Sequence, residues 1–142
     1  MNDGAPQIVK TAQQVRAEIE LIVLTFPRYH KYQVGSVLRA QAMEVVRMST
    51  RAWWDTERQE EWKRLLVYAV DDLKATHQLA MDVKAFRSFA QFELLARLLN
   101  GLGKQCGGWL KQRHKGQNSQ AKPAGRAQRL SSRDASSDEA RL

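Results

Sequence analysis

A chain of 142 residues, 43% hydrophobic and carrying a net charge of +8, has room for one compact domain with a real core and is short for two. Its single cysteine, Cys106, excludes an intrachain disulfide and fits a reducing compartment. No apolar run approaches the roughly 18 residues that a membrane span needs, and the N-terminus carries neither the basic stretch nor the apolar block of a signal peptide.

Residues 1–10 are expected to be a flexible N-terminus. The first helix is expected from about Ala12 to Phe26, because Val15, Ile19, Ile22 and Phe26 recur at spacings of four, three and four along one face. Thr11 and Gln14 have capping-box spacing, and Pro27 marks the stop. The loop "PRYHK" follows, with two cations and a histidine. A second helix is expected from about Tyr32 to Trp53, its apolar side marked by Val34, Leu38, Val45 and Ala52. Ala42 fills a narrow place between them, and Gly35 weakens the first turn.

The third helix is expected from about Glu57 to Val83, with Thr56 and Gln59 as its capping pair. Trp62, Leu65, Ala69, Leu73, Thr76 and Ala80 form its stripe. At 1.5 Å rise per residue it is about 40 Å long. The fourth begins after Ser88, again with a capping pair in Ser88 and Gln91. Phe92, Leu95, Leu99, Leu102, Cys106 and Trp109 continue its stripe straight through four glycines, at 101, 103, 107 and 108. That periodicity keeps the helix intact to about Arg113. Each glycine costs a helix interior about 1 kcal/mol against alanine. Gly103, Gly107 and Gly108 therefore suggest a place where another backbone approaches closely, within the bundle or at a subunit seam, with Trp109 packed beside them.

Four amphipathic helices with short connections make an all-α, up-down-up-down bundle over residues 11–115. Residues 116–142 are rich in Ser, Ala, Gln, Arg and Asp, with only Leu130 and Leu142 strongly apolar. Such a segment buries too little to offset its ordering entropy and reads as a disordered tail. Leu94, Leu98 and Leu110, beside the fourth stripe, and Trp53 with Trp54 exceed what one bundle needs, which points to burial between subunits.

Charge is sorted by segment. Residues 28–51 hold five basic residues against Glu44, and residues 84–115 hold seven against Glu93. Residues 55–74 reverse the balance, with six acids against four bases. Such sorting suggests a polyanionic partner. The candidate nucleic-acid-binding residues are Arg28, Lys31 and Arg39 near the start of the second helix, and Lys104, Lys111, Arg113 and Lys115 toward the end of the fourth. The two groups fall at opposite ends of the bundle.

Other chemistry finds little footing. "GLGK" lacks the spacing and the Ser/Thr of a phosphate loop. His30, His77 and His114 share no metal spacing with Cys106, which reads as a small core residue. Asp71 and Asp72 are adjacent and so diverge on a helix. No nucleophile is paired with a base. The expectation is a protein that is not an enzyme and carries no cofactor or metal. Trp53 and Trp54 suit stacking on bases, but plugging the end of the bundle is the favoured reading.

The stretches "FPRYHKYQVGSVLR" (26–39) and "GGWLK" (107–111), with "LAMDVKAFRSFAQFELLARLL" between them, resemble the accessory variability determinant (Avd) proteins of diversity-generating retroelements. These are four-helix bundles related to bacterial ribosomal-RNA intervening-sequence proteins. The resemblance spans about residues 12–113. It departs at "WWDTERQEEW", at Gln105 and Cys106, where a Met or Leu pair is common, and in the tail. It implies a homopentameric barrel with a basic exterior, cytoplasmic in a bacterial host or phage-encoded. That barrel binds the element's reverse transcriptase and its template-repeat RNA or cDNA during mutagenic cDNA synthesis and retrohoming. A stand-alone bundle binding structured RNA, and a structural helical oligomer with incidental charge, are the alternatives.

Overall fold

The computed structural model describes residues 4–121, with side chains to residue 112. The described residues fold into four long helices and one short one: α1 (Gln7–Leu24), α2 (Arg28–Tyr32), α3 (Val34–Trp54), α4 (Gln59–Asp82) and α5 (Phe89–Ala121). No strand occurs among the described residues, and no helix among them is long and apolar enough to cross a membrane.

Side-chain pairings give the order of the bundle. Glu20 of α1 meets Arg39 of α3, and Val23 lies against Gly35, so these helices run antiparallel. Met48, Gln41 and Glu44 of α3 share a groove with Leu65, Ala69 and Asp72 of α4. His77, late in α4, meets Phe92, early in α5, whereas Lys63, early in α4, meets Trp109, late in α5. Thr25, just after α1, donates to Gln91 near the start of α5. Each long helix is thus antiparallel to its neighbours around an up-down-up-down four-helix bundle.

The core lies on the expected stripes for the most part. Val15, Ile19, Ile22, Phe26, Val34, Leu38, Ala42, Val45, Ala52, Leu95, Leu99, Leu102 and Cys106 are all buried. On α4 the stripe is rotated. Leu66 is buried and Leu65 exposed, while Lys63, Val70 and His77 join Ala69, Leu73, Thr76 and Ala80 inside. Leu98, expected at a seam, packs against this core.

The ends of the elements differ more. α1 starts at Gln7, and Ala5, Ile8 and Val9 are buried, so the N-terminal segment from residue 5 belongs to the fold. Thr11 therefore sits inside the helix, accepting a hydrogen bond from Gln7 rather than capping. "PRYHK" is expected as a loop, but Arg28–Tyr32 form the helical turn α2 with Pro27 as its N-cap. Gln33 alone separates it from α3, because the chain must turn sharply over α1. Gly35 permits that turn: a Cβ there would lie 2.8 Å from Val23 Cγ1 and 3.1 Å from the His30 carbonyl oxygen.

Thr56 is exposed and caps nothing. Asp55 instead accepts the Arg58 backbone N–H, and Gln59 reaches back to the Ala52 carbonyl. Only the third expected cap forms, with Ser88 accepting the Gln91 N–H at 3.3 Å. The stop of α4 had no glycine to announce it. Lys84 takes the left-handed conformation (φ 61). Its N–H bonds the Met81 carbonyl, and the Ala85 N–H bonds that of Ala80. This is a Schellman stop, sealed by the buried pair Ala80 and Ala85.

Up to Trp109 the described residues make one compact unit, and residues 110–121 continue α5 as a second. The helix thus outruns the expected end near Arg113 and takes in residues 116–121 of the expected tail. The rest of that tail lies outside the described residues.

Candidate nucleic-acid interface

The cations expected to bind nucleic acid fall into distinct situations. Arg28 is exposed and Lys31 half-buried on α2, beyond the end of α1. Arg39 is exposed too, but its Nε donates to both Glu20 carboxylate oxygens at 3.0 and 3.1 Å. That ion pair between α1 and α3 already employs the guanidinium, which corrects the expectation that Arg39 belongs to an open basic cluster. Lys104 is exposed on α5, twelve residues or roughly 18 Å beyond Phe92 along the helix. Arg28 and Lys31 therefore lie toward one end of the bundle and Lys104 toward the other. Lys111 is exposed in the helix beyond Trp109. The side chains of Arg113 and Lys115 lie outside the described residues.

The glycines of α5 divide in the same way. A Cβ on Gly103 would lie 2.6 Å from Lys74 Nζ and 3.3 Å from its Cε, so the absent side chain makes room for the Lys74 stem. At Gly101, Gly107 and Gly108 nothing among the described residues lies within 4 Å of where a Cβ would be. Among the described residues, Gly107 and Gly108 pack against no other helix, which corrects the close-packing expectation for the bundle itself. They leave bare backbone on the outside of α5.

Arg97, which the sequence reading passed over, is exposed on that helix seven residues before Lys104. Residues seven apart share a helix face, and Gly101 and Gly108 stand three and four residues to either side of Lys104. The signal was in the sequence, as Arg97, Lys104 and Lys111 at heptad spacing. Neither Arg97 nor Lys104 has a carboxylate within ion-pair distance among the described residues.

A second basic group was also missed. Arg47 and Arg51 of α3 lie with Thr50, Val46 and Trp54 around a shallow groove of about 340 Å³. Trp54 was expected to plug the bundle; it is 71% exposed. Trp53 behind it, at 5.7 Å between ring centroids, packs against the core as a plug would. Trp109 is packed as expected. Lys63, only 4% exposed, donates to its carbonyl at 3.0 Å and stands 4.7 Å from its ring centroid, with Glu60 at 3.5 Å. A buried ammonium is tolerable only with such partners.

Cys106 and His77 are turned inward. Burial pushes the Cys106 thiol up to about 12, a shift that Lys74 opposes and Asp71 reinforces. The thiolate that would do chemistry is thus suppressed at neutral pH. His77 is 6% exposed and stacks on Phe92 at 4.3 Å between centroids. Its Nε2 lies 3.0 Å from the Phe92 carbonyl, so the neutral ring carries its proton there. Desolvation holds this imidazole below its ordinary range, and the carbonyl opposes that shift. Among the described residues no group of His, Cys, Asp and Glu is placed to hold a metal ion. No protein-family model, curated protein or solved structure matches this chain.

Proposed function

We propose that this chain is a non-catalytic nucleic-acid-binding scaffold, the accessory variability determinant protein of a diversity-generating retroelement. In this reading it binds the element's reverse transcriptase and template RNA in the cytoplasm of a bacterial host and supports mutagenic cDNA synthesis. The observation that carries the nucleic-acid part is the outside of α5. Arg97 and Lys104 stand there without carboxylate partners among the described residues, around bare backbone at Gly101. Cations beside glycine let a phosphate backbone come close. Backbone contacts carry little sequence information, so specificity is left to the polymerase.

The same reading includes self-assembly, into a pentamer by resemblance. Leu65 and Tyr68 are exposed beside the groove between α3 and α4, a cavity of about 180 Å³ that also holds Glu44 and Asp72. This partly apolar groove offers a seat for another copy, and a head-to-tail contact there makes a ring where its rotation closes. Co-purification with the candidate reverse transcriptase, with and without nuclease, tests the assignment. Retention after nuclease and a multimeric mass by light scattering support it. A 16.3 kDa monomer that binds neither polymerase nor RNA contradicts it. RNA binding without polymerase capture reduces it to a stand-alone RNA-binding bundle.

A further inference from the structure

We propose that Trp54 and Arg51, with Arg47 one turn before them, form a stacking site for an unpaired base of a single-stranded nucleic acid, with Arg51 on the flanking phosphate. The proposal rests on the nucleic-acid reading and assigns it a second, chemically different site on α3.

The three residues follow one another at spacings of four and three, so they share a helix face. An indole normally finds cover, since a tryptophan buries 150–250 Å² when packed. Here one ring of the pair, Trp53, packs against the core, and the other is left 71% exposed at the rim of a groove. The site is also held in place. Trp54 rests against Trp53 at a 42° tilt. The Arg51 guanidinium lies 5.4 Å from the centroid of Trp62. Trp62 in turn donates its indole N–H to Asp55 Oδ2 at 2.8 Å. That hydrogen bond is the leading cause that lowers the Asp55 carboxyl below its ordinary range, ahead of the backbone N–H and charge of Arg58, and burial opposes it. Ring and guanidinium are thus ordered before any ligand arrives, which lowers the cost of binding.

The charges of the neighbourhood are largely committed, and this selects the contact. Arg47 pairs with Glu44 at 3.1 Å and Arg58 with Asp55 at 3.4 Å. Arg51 has no carboxylate within ion-pair distance among the described residues. It therefore presents positive charge beside the open indole, the combination that takes a base on a ring and its phosphate on a cation. The groove sets Val46 and Trp54 beside Arg47, Thr50 and Arg51. A duplex keeps its bases stacked on one another and gives the indole nothing to cover, so the ligand is a single strand.

The test uses the full chain with labelled oligouridylate, oligothymidylate and a duplex of the same length, followed by anisotropy across a range of salt. Trp54→Ala is expected to weaken binding of the single strands roughly 5- to 150-fold, the range carried by one base–aromatic stack. Duplex affinity and the salt slope stay unchanged, and Trp54→Phe retains most of the affinity. Arg51→Ala is expected to reduce the slope by about 0.7, one phosphate contact on a single strand. Equal losses for oligouridylate and oligothymidylate identify the base and phosphate as the ligand; a loss confined to one adds recognition of its sugar or its methyl group.

Single-strand affinity unchanged in Trp54→Ala overturns the site. So does an equal loss on the duplex, or a change in oligomeric mass, which makes the ring a subunit contact. An Arg97→Glu, Lys104→Glu variant separates the two readings. If it abolishes binding while Trp54→Ala is silent, this site fails and the α5 surface stands. If the unaltered protein binds no nucleic acid at any salt, both fail.

Discussion

At one end of the bundle, Phe26, Phe86, Phe92 and His77 meet ring to ring, at centroid distances from 4.3 to 5.7 Å. At the other end, Trp53, Trp54, Trp62 and Trp109 are spread among charges: Arg51 on Trp62, Lys63 on Trp109 and Asp55 on the Trp62 indole N–H. The phenylalanine end is joined by apolar contact and by one histidine kept neutral, and Phe89, 57% exposed, stacks outside on Phe92. The tryptophan end is held by polar handles and leaves one ring outside. Aromatic content alone does not tell a plug from a platform. What separates them is the partner each ring finds: phenylalanine has only its area to offer, whereas indole also carries a donor and a face that attracts cations.

The comparison is broken most forcefully at Phe26. Its ring is buried against Phe86, and Phe26→Ala is expected to cost about 3–5 kcal/mol of stability in urea unfolding. A loss near zero would mean that the closed end is not closed. Gly35 supports the same end from beneath. Gly35→Ala forces a Cβ against Val23 and the His30 carbonyl and is expected to cost about 1–3 kcal/mol. Gly107→Ala, made where nothing lies within 4 Å, is expected to do the reverse and raise stability by about 0.5–1 kcal/mol through helix propensity.

His77 gives the closed end a pH dependence. Its folded pKa lies below the unfolded value of 6.5 because burial disfavours the charged ring. The unfolded chain therefore binds more protons in that window. The stability contributed by neutral His77 is complete above pH 6.5 and is lost as the pH falls toward the folded pKa, with a slope of at most about 1.4 kcal/mol per pH unit. Urea titrations between pH 7.5 and 5 are expected to show this decline, and His77→Phe to remove that part of it. The smallest effect belongs to the open end. Trp54→Ala removes an exposed ring and is expected to change stability by no more than about 0.5 kcal/mol. A large loss would mean that Trp54 is structural after all.

The four long helices were legible because their apolar residues recur at three and four; the stripes on α1 and α3 are buried residue by residue, and that on α5 from Leu95 to Cys106. On α4 the pattern misled, since Leu65, Leu66 and Val67 are consecutive and periodicity alone does not choose among them. Lys63 and His77, which the stripe left out, are buried with Trp109 and Phe92 as their partners. The site was less legible for the same reason. Arg39 looked available until Glu20, nineteen positions earlier, closed on it, and of the two tryptophans expected to plug the bundle only Trp53 packs against the core. Pairing across helices decides which charges and rings remain open, and one-dimensional spacing does not contain it.

The most direct measurement is the salt dependence of RNA affinity for the unaltered protein and for Arg97→Glu, Lys104→Glu. A phosphate-binding face on α5 requires affinity to fall with salt at a slope of about −0.7 to −0.9 per neutralised phosphate, depending on strand form. In the double variant, with helical content intact by circular dichroism, affinity drops and the slope flattens. A folded double variant that binds RNA with the same affinity and the same slope would contradict a nucleic-acid surface on this helix.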